Sequence, residues 1–263
     1  MSSYWYDMQS VSVIGAAHQR QQKPCQDASL SASLTGDGGQ LMLLVVADGH
    51  GAERHPFSHR GSALACRVAR DAVETWLNCT LVAEAERWHH LLEEVLPITI
   101  QQRWLSAITV DWHSQPESTG ERFSPLLYGT TLGLVILTQH WWGCTGLGDW
   151  DLAGVNGDGH AELLSEEIEY NKSEATGSLC QPPEQQDWLE RTQLQHLEPP
   201  SELRALVLST DGVRKSCTTD ADYLQLCAEL TELRHIQELK QGLSHVTAFG
   251  SGDDVSIAMA LRT

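Results

Sequence analysis

The sequence is poor in positive charge, in clustered cysteines and in long hydrophobic runs. Among its 263 residues, 17 Lys and Arg stand against 35 Asp and Glu, which gives a formal net charge of −18 at pH 7. Such a surface repels nucleic-acid phosphates and anionic lipids alike, so we expect neither a nucleic-acid partner nor a membrane partner. The longest apolar run, at residues 41–47, is far shorter than the roughly 20 residues of a transmembrane helix.

The seven cysteines indicate a cellular compartment. Their number is odd, no two form a C-x-x-C motif, and the N-terminus shows no secretory signal pattern. Scattered cysteines of this kind are typical of free thiols in a reducing environment, which predicts a cytoplasmic protein. His55 and His59 are spaced for one face of a helix, but a zinc site would need a second ligand pair, and none lies nearby in the sequence.

The length suits one large domain over residues 1–263. Two segments at 60–77 and 84–108 carry apolar residues at helical spacing, and Pro97 is expected to bend the second of them. A third helix is predicted at 222–243. The polar residues 111–124 are predicted to form a connecting loop.

Short apolar segments separated by turn residues predict antiparallel strands in the rest of the chain. The first strand is predicted at 11–17, and the turn sequences at 35–39 and 156–159 each indicate a hairpin. Residues 166–200 contain four prolines and little periodicity. We interpret them as an irregular, flap-like insertion that includes one strand near 188–194.

Acidic residues stand at the ends of three strongly apolar strands. LLVVA leads into Asp48, LVLST leads into Asp211, and VSIAMA follows Asp253 and Asp254. Each Asp on its own could simply cap a turn. Several carboxylates that converge beside buried strands require a cation, and oxygen ligands of this type suit Mg²⁺ or Mn²⁺.

Six short motifs occur in an order that resembles one family, the PP2C-type (PPM) Ser/Thr protein phosphatases, in a bacterial branch. They extend from Gln26 to Ser256 and are PCQDA, VADGHGA, YGTT, TGLGD, LSTDGV and GDDVS. The resemblance implies an α+β fold, a four-layer α-β-β-α sandwich with two central antiparallel sheets. It also implies a metal centre in a cleft at one end of the sheets.

The resemblance implies roles for individual residues. Asp48 would bridge two Mn²⁺ or Mg²⁺ ions, and the carbonyl of Gly49 would complete one coordination shell. Asp211 and Asp253 would hold the other ion, because the register of GDDVS leaves Asp254 where the family usually has Asn. Two further positions belong to the same centre: Asp27 would act through metal-bound water, and Gln26, where many members have Glu, would act in the outer shell.

The implied reaction is hydrolysis of phosphoserine or phosphothreonine by a metal-bridging hydroxide, with His50 as the general acid. The sequence departs from the family pattern where substrate phosphate is usually gripped, because Gln22 stands in place of an Arg. Arg20 or Lys23 could supply that charge instead.

Asp149 could help to hold a third metal ion. Lys215, however, replaces an Asp that often completes that position, which weakens the case for a third ion.

The expected partners are a phosphorylated protein substrate and a cognate Ser/Thr kinase in signalling, with the protein itself a monomer. The changes at Gln22, Gln26 and Lys215 leave a second hypothesis open, a catalytically silent domain that binds phosphoproteins or a regulatory partner. A third, a calcium loop at 149–159, has the wrong ligand spacing, and a tight hairpin turn is the better interpretation.

Overall fold

Two antiparallel five-stranded sheets form the centre of the computed structural model, which describes residues 4–116, 122–166, 177–197 and 202–263. The first sheet has the order β1-β10-β9-β6-β7 and the second the order β2-β3-β4-β5-β8. The strand bounds are β1 (Trp5–Val13), β2 (Ala28–Gly36), β3 (Gly39–Ala47), β4 (Leu132–Leu137), β5 (Trp141–Leu147), β6 (Asp151–Asn156), β7 (Ala161–Ser165), β8 (Gln193–His196), β9 (Leu203–Ser209) and β10 (Val255–Arg262).

Helices cover the outer face of each sheet. Among the described residues, α2 and α4 cover the second sheet, whereas α6 and α7 cover the first. The helix bounds are α1 (Ala16–Gln21), α2 (Ser58–Leu77), α3 (Ala85–His90), α4 (Leu96–Ser114), α5 (Asp211–Lys215), α6 (Asp220–Glu232) and α7 (Ile236–Phe249).

Strand β3 shows how the sequence produces these layers. Leu43 and Val45 belong to the core under the helices, whereas Leu44 and Val46 pack with residues of the first sheet between the two sheets. Successive side chains of a strand point to opposite faces, so an entirely apolar strand must be covered on both sides. The predicted α+β sandwich with two antiparallel sheets is confirmed.

The first strand lies earlier than predicted. It ends at Val13, and residues from Ala16 onward form α1 instead of continuing the strand to residue 17. The chain turns at Gly15, where a Cβ atom would lie only 2.4 Å from the backbone carbon of Asp253. This close approach brings the start of α1 against the loop that precedes β10.

The predicted helix at 84–108 is interrupted. A π-helical turn at Leu91–Val95 separates α3 from α4. Pro97 lacks an N–H donor and disturbs the hydrogen bonding of the preceding turn, which accounts for the interruption at this point.

The loop predicted at 111–124 begins later than expected. α4 continues to Ser114, because Trp112 is buried in the core and packs edge-on against Phe57. A buried aromatic residue therefore extends the helix beyond the region of clear periodicity.

The single helix predicted at 222–243 is two helices. α6 ends at Glu232 and α7 begins at Ile236. Between them Leu233 has extended backbone angles, and its carbonyl accepts a hydrogen bond from Gln9 Nε2 at 3.2 Å. The contact with β1 therefore breaks a segment that is helical by periodicity.

Both predicted hairpins are present. Gly36 pairs with Gly39 across the first turn, and the turn at 156–159 joins β6 to β7. In the second turn Asp158 Oδ1 accepts a hydrogen bond from the backbone N–H of His160, as in a tight turn.

The insertion predicted at 166–200 is described only over 177–197, and residues 167–176 and 198–200 lie outside the described residues. The described part contains 3₁₀ turns at Pro183–Gln185 and Leu189–Arg191. The strand predicted near 188–194 begins later, as β8, and pairs with β5 as the edge strand of the second sheet. Within the described ranges, none of the helices combines the length and apolar character of a membrane span.

Candidate active site

A cavity of about 390 Å³ opens where the predicted acidic motifs meet. Asp48 follows β3, Asp149 lies between β5 and β6, Asp211 follows β9, and Asp253 precedes β10. All four line the cavity together with His50. The two sheets therefore bring together carboxylates that are far apart in the sequence.

Backbone hydrogen bonds hold the loop that carries Asp48. The carbonyl of Asp48 accepts hydrogen bonds from Thr130 Oγ1 and from the N–H of Thr131, each at 2.8 Å. The next residue must be glycine, because a Cβ atom on Gly49 would lie 2.5 Å from the carbonyl oxygen of Gln26. Two of the sequence motifs, VADGHGA and YGTT, thus form one structural unit.

Asp253 and Asp254 have different surroundings. Asp254 is 3% exposed, and its carboxylate accepts hydrogen bonds from the backbone N–H groups of Gly15 and Gln26, both at 2.6 Å, and contacts His18 Nδ1 at 2.9 Å. These contacts use both oxygens to tie α1 and the PCQDA segment together. Both residues line the cavity, and the half-buried Asp253, which does not carry these contacts, is the better candidate for a ligand.

The carboxylates crowd one another. Burial, with contributions from the neighbouring Asp149 and Asp48, raises the pKa of Asp211 from 3.8 to about 9. Burial likewise raises the pKa of Asp48 well above its ordinary value. Raised carboxyl pKa values of this origin indicate a site where negative charge lacks sufficient compensation.

Lys215 supplies part of that compensation. Its Nζ forms an ion pair with Asp211 Oδ2, one turn away on α5. Although burial of the ammonium opposes its charge, Asp211, Asp149 and Asp48 together raise the pKa of Lys215. The other oxygen, Asp211 Oδ1, is buried without a hydrogen-bond partner among the described residues.

The donor set fits Mg²⁺ or Mn²⁺. Within the described ranges, no three His, Cys, Asp or Glu side chains are close enough to hold an ion by themselves. The carboxylates instead line an open cavity, which suits ions that retain several water ligands. Asp211 Oδ1 has no partner among the described residues and is available as a ligand atom, and Gln26 Oε1, also buried without a partner there, could accept a bond from a water ligand.

Gln26 and Asp27 are neighbours in the sequence, but they differ in their relation to the cavity. Gln26 lines the cavity, and its Nε2 donates to Ser58 Oγ at 2.6 Å and to the carbonyl of His50 at 3.2 Å. Asp27 is not among the cavity residues, and its Oδ2 accepts a hydrogen bond from Thr210 Oγ1 at 2.7 Å. The predicted water-mediated role of Asp27 stays a prediction.

A hydrogen bond orients the ring of His50. Its Nε2 lies 2.8 Å from Ser178 Oγ, and that hydroxyl also lies 3.1 Å from the carbonyl of Thr130. Burial and the nearby His55 lower the pKa of His50 to about 4, so the ring is neutral near pH 7.

The predicted phosphate-binding residues do not line the cavity. Arg20 and Lys23 are exposed on α1 and just after it. Arg20 Nη2 nevertheless lies 4.0 Å from the Cβ position at Gly252, beside Asp253, so the role of these two residues stays a prediction. The Lys and Arg side chains that do line the cavity are Arg54 and Lys215. Arg54 could have been considered from the sequence, because it lies three residues after the DGHG motif.

Arg191 was not found by sequence analysis. It is 4% exposed, it lies 3.9 Å above the Trp150 ring, and it donates hydrogen bonds to the carbonyls of Gly148 at 2.6 Å and Trp150 at 2.5 Å. These two carbonyls flank Asp149. The insertion therefore holds one cavity carboxylate in position.

The sandwich and its acidic cavity define a class of protein. The sequence matches the family model described as protein phosphatase 2C over residues 14–246. The chain therefore belongs to the protein phosphatase 2C family.

Solved structures support the fold assignment. PppA from Pseudomonas aeruginosa is 18% identical with a TM-score of 0.64, and the match covers 99% of this chain and 100% of that one. The catalytic domain of the serine/threonine phosphatase PstP in complex with two manganese ions is 15% identical with a TM-score of 0.61, covering 99% of each chain. Stp1 from Staphylococcus aureus is 14% identical with a TM-score of 0.61, covering 97% of this chain and 94% of that one. No curated protein matches the sequence.

Proposed function

We propose that the protein is a metal-dependent phosphatase that hydrolyses phosphoserine or phosphothreonine in proteins. The observation that carries the proposal is the convergence of Asp48, Asp149, Asp211 and Asp253 in one cavity with His50. Membership of the protein phosphatase 2C family supports the same reaction. The identities near 15% concern the fold and do not by themselves extend the activity to this chain.

Asp48, the carbonyl of Gly49, Asp211 and Asp253 would hold two Mn²⁺ or Mg²⁺ ions. When bound, such ions lower the pKa of water and stabilise charge on phosphoryl oxygens. The PstP structure is described with two manganese ions. The contact between Lys215 and Asp211 argues against a third ion beside Asp149.

The chain's own groups would bind and protonate the substrate. Arg54 and Lys215 line the cavity with positive charge and would bind phosphoryl oxygens. A serine or threonine alkoxide is a poor leaving group and needs a proton. His50 in its imidazolium form would donate it, a form that the negative charge of a bound phosphoryl group favours, and Ser178 would keep the ring in the orientation required.

Several broader features belong to the same proposal. The phosphorylated protein substrate, a cognate kinase, a signalling role, a cytoplasmic location and a monomeric state are all inferred from the resemblance or from composition. A further hypothesis is that the insertion at 166–200 is a flap that faces the substrate. It is supported by Ser178 and Cys180, which line the cavity.

The direct test measures phosphate release from a phosphothreonine peptide as a function of Mn²⁺ concentration. We expect saturable, Mn²⁺-dependent turnover that is lost in Asp48→Asn. Asp37→Asn, a matched change in the exposed turn between β2 and β3, should retain it. Absence of turnover at every Mn²⁺ and Mg²⁺ concentration, with native circular dichroism, would reject the proposal.

The alternative is a catalytically silent domain that binds phosphoproteins. It is favoured by Gln26 in place of a carboxylate and by Lys215 on Asp211 Oδ2. Calorimetry distinguishes the two hypotheses. Phosphopeptide binding without hydrolysis, unchanged by Asp48→Asn, would support the silent domain. Hydrolysis that disappears in Asp48→Asn would exclude it.

A further inference from the structure

A second cavity, of about 250 Å³, lies at the opposite end of the first sheet from the acidic cavity. The pairing of Val155 with Ala205 and of Ala205 with Leu261 brings β6, β9 and β10 together at its floor. Ser209, which precedes the acidic cavity, is four residues further along β9, or roughly 13 Å. The two cavities are therefore separate.

This second cavity is positively charged in an acidic protein. Arg204, Arg234 and Arg262 line it, whereas Glu232 is the one acidic side chain among its lining residues. Three of the 17 basic residues thus meet in a chain with a net charge of −18. Asp7 approaches Arg234 only to 4.0 Å, and Arg204 Nη1 reaches the carbonyl of Thr263 at 3.5 Å.

Arg262 is the unusual member of the group. Its residue surface is 4% exposed, yet Nε and Nη1 are buried with no hydrogen-bond acceptor among the described residues. The guanidinium carbon lies 5.9 Å from the Trp5 ring centre, a contact that leaves the in-plane N–H groups unsatisfied. Burying a charged donor without an acceptor is strongly unfavourable, so an anionic acceptor is the natural complement.

Asn156 provides a hydrogen-bond acceptor in the same cavity, where Arg262 provides donors. Its Oδ1 is buried, has no partner among the described residues, and belongs to a residue that lines the same cavity. A ligand that satisfies both groups must offer anionic acceptors and also a donor. A phosphate group that carries one proton does so, whereas sulfate and carboxylate anions have no proton to donate at neutral pH.

We propose that this cavity binds a phosphoryl group, with Arg262 as its buried donor, Arg204 and Arg234 as its rim, and Asn156 Oδ1 as an acceptor. The site is independent of the proposed catalytic activity. The phosphoryl group would come either from inorganic phosphate, which keeps at least one proton at neutral pH, or from a phosphomonoester bound in its singly protonated form.

The test uses the full chain in the presence of a chelator, so that no metal ion recruits phosphate to the acidic cavity. Inorganic phosphate, phosphoserine, sulfate and acetate are each titrated, with heat of binding and thermal midpoint as readouts. We expect millimolar or tighter binding of at least one of the two phosphoryl probes, and at least about tenfold weaker binding of sulfate and acetate. Tighter binding of phosphoserine identifies a monoester, and tighter binding of inorganic phosphate identifies the free ion.

The variants separate this site from general anion binding. Arg204→Ala with Arg234→Ala changes two exposed side chains and should weaken binding at least about tenfold. Arg262→Met, which keeps the length of the buried side chain, should do the same if it folds. Arg87→Ala, which changes an exposed arginine of α3, should bind as the unmodified protein does.

Three results would overturn the proposal. The first is the absence of binding of either phosphoryl probe up to about 10 mM. The second is full retention of binding in the Arg204 and Arg234 double variant. The third is equal binding of sulfate and phosphate, which would exclude a contribution of Asn156 and the preference for a protonated phosphoryl group.

Discussion

Lys215 Nζ contacts Asp211 Oδ2 across one turn of α5, inside the cavity that would hold the metal ions. A tethered ammonium and a divalent cation would therefore compete for the same carboxylate. The side chain of Lys215 is 57% exposed, so its ammonium group can move away from Asp211 into solvent. We infer that the contact reduces the affinity of the site for metal ions without blocking it.

Replacement of the ammonium tests this competition. Lys215→Ala should raise the affinity for Mn²⁺ by up to about fivefold, because an exposed ion pair contributes at most about 1 kcal/mol. Isothermal titration calorimetry of the metal-free protein measures the change. Lys240→Ala, which removes an exposed lysine of α7, is the matched control and should leave Mn²⁺ affinity unchanged. A lower affinity in Lys215→Ala would show that Lys215 supports the site.

Stability of the metal-free protein should fall as the pH rises. Asp211 titrates near its ordinary value of 3.8 when unfolded but at a pKa of about 9 when folded. Between these values the folded state binds more protons, so the unfolding free energy decreases with increasing pH. Buried Asp48 and Asp27, with pKa values also raised, act in the same direction.

Asp211→Asn removes one of these titrations. Between pH 5 and 8 the slope of unfolding free energy against pH should become less negative by up to about 1.4 kcal/mol per pH unit. Urea denaturation in the presence of a chelator at several pH values measures the slope. The exposed Asp37→Asn should leave the slope as it is. An unchanged slope in Asp211→Asn would mean that the Asp211 carboxylate is already ionised at pH 5.

Arg191 links the insertion to the site and to stability. Arg191→Met should lower the unfolding free energy by about 3 kcal/mol, because the carbonyls of Gly148 and Trp150 lose charged donors in a buried position. Urea denaturation measures the loss. Arg87→Met on the exposed surface of α3 should change stability little. A loss below about 1 kcal/mol would show that the carbonyls find other donors.

Much of this architecture could be predicted because it depends on local pattern. Apolar strands that end in Asp48 and Asp211 predict where carboxylates converge, and the turn sequences at 35–39 and 156–159 predict hairpins. The register of GDDVS assigns the ligand role to Asp253, which stays a prediction, and the hydrogen bonds that Asp254 accepts from Gly15 and Gln26 are consistent with it.

The remaining features depend on contacts between distant segments. Arg191 acts only after the insertion folds against the loop before β6, and the insertion itself has no periodicity to analyse. The break between α6 and α7 follows from a hydrogen bond to Gln9, more than 200 residues away in sequence. The second cavity collects its arginines from the ends of β9 and β10 and from the segment between α6 and α7, which sequence spacing does not bring together.

His50 gives the sharpest test of the proposed reaction. If His50 protonates the leaving group as an imidazolium, His50→Ala should reduce kcat for a phosphothreonine peptide about 100-fold, the lower range of general acid catalysis. The same change should affect an aryl phosphate much less, because a phenolate leaves without protonation. His90→Ala, which changes an exposed histidine of α3, should be neutral with both substrates.

The pH dependence provides a second readout of the same residue. Burial and His55 lower the pKa of His50 to about 4 in the metal-free chain. A general acid is active only while protonated, so kcat for the peptide should fall as the pH rises through the pKa that His50 has in the enzyme–substrate complex. A bound phosphoryl dianion would raise this pKa, whereas metal ions would lower it further. Equal losses with the peptide and the aryl phosphate would assign His50 to positioning of the DGHG loop, and the proton would then come from another group.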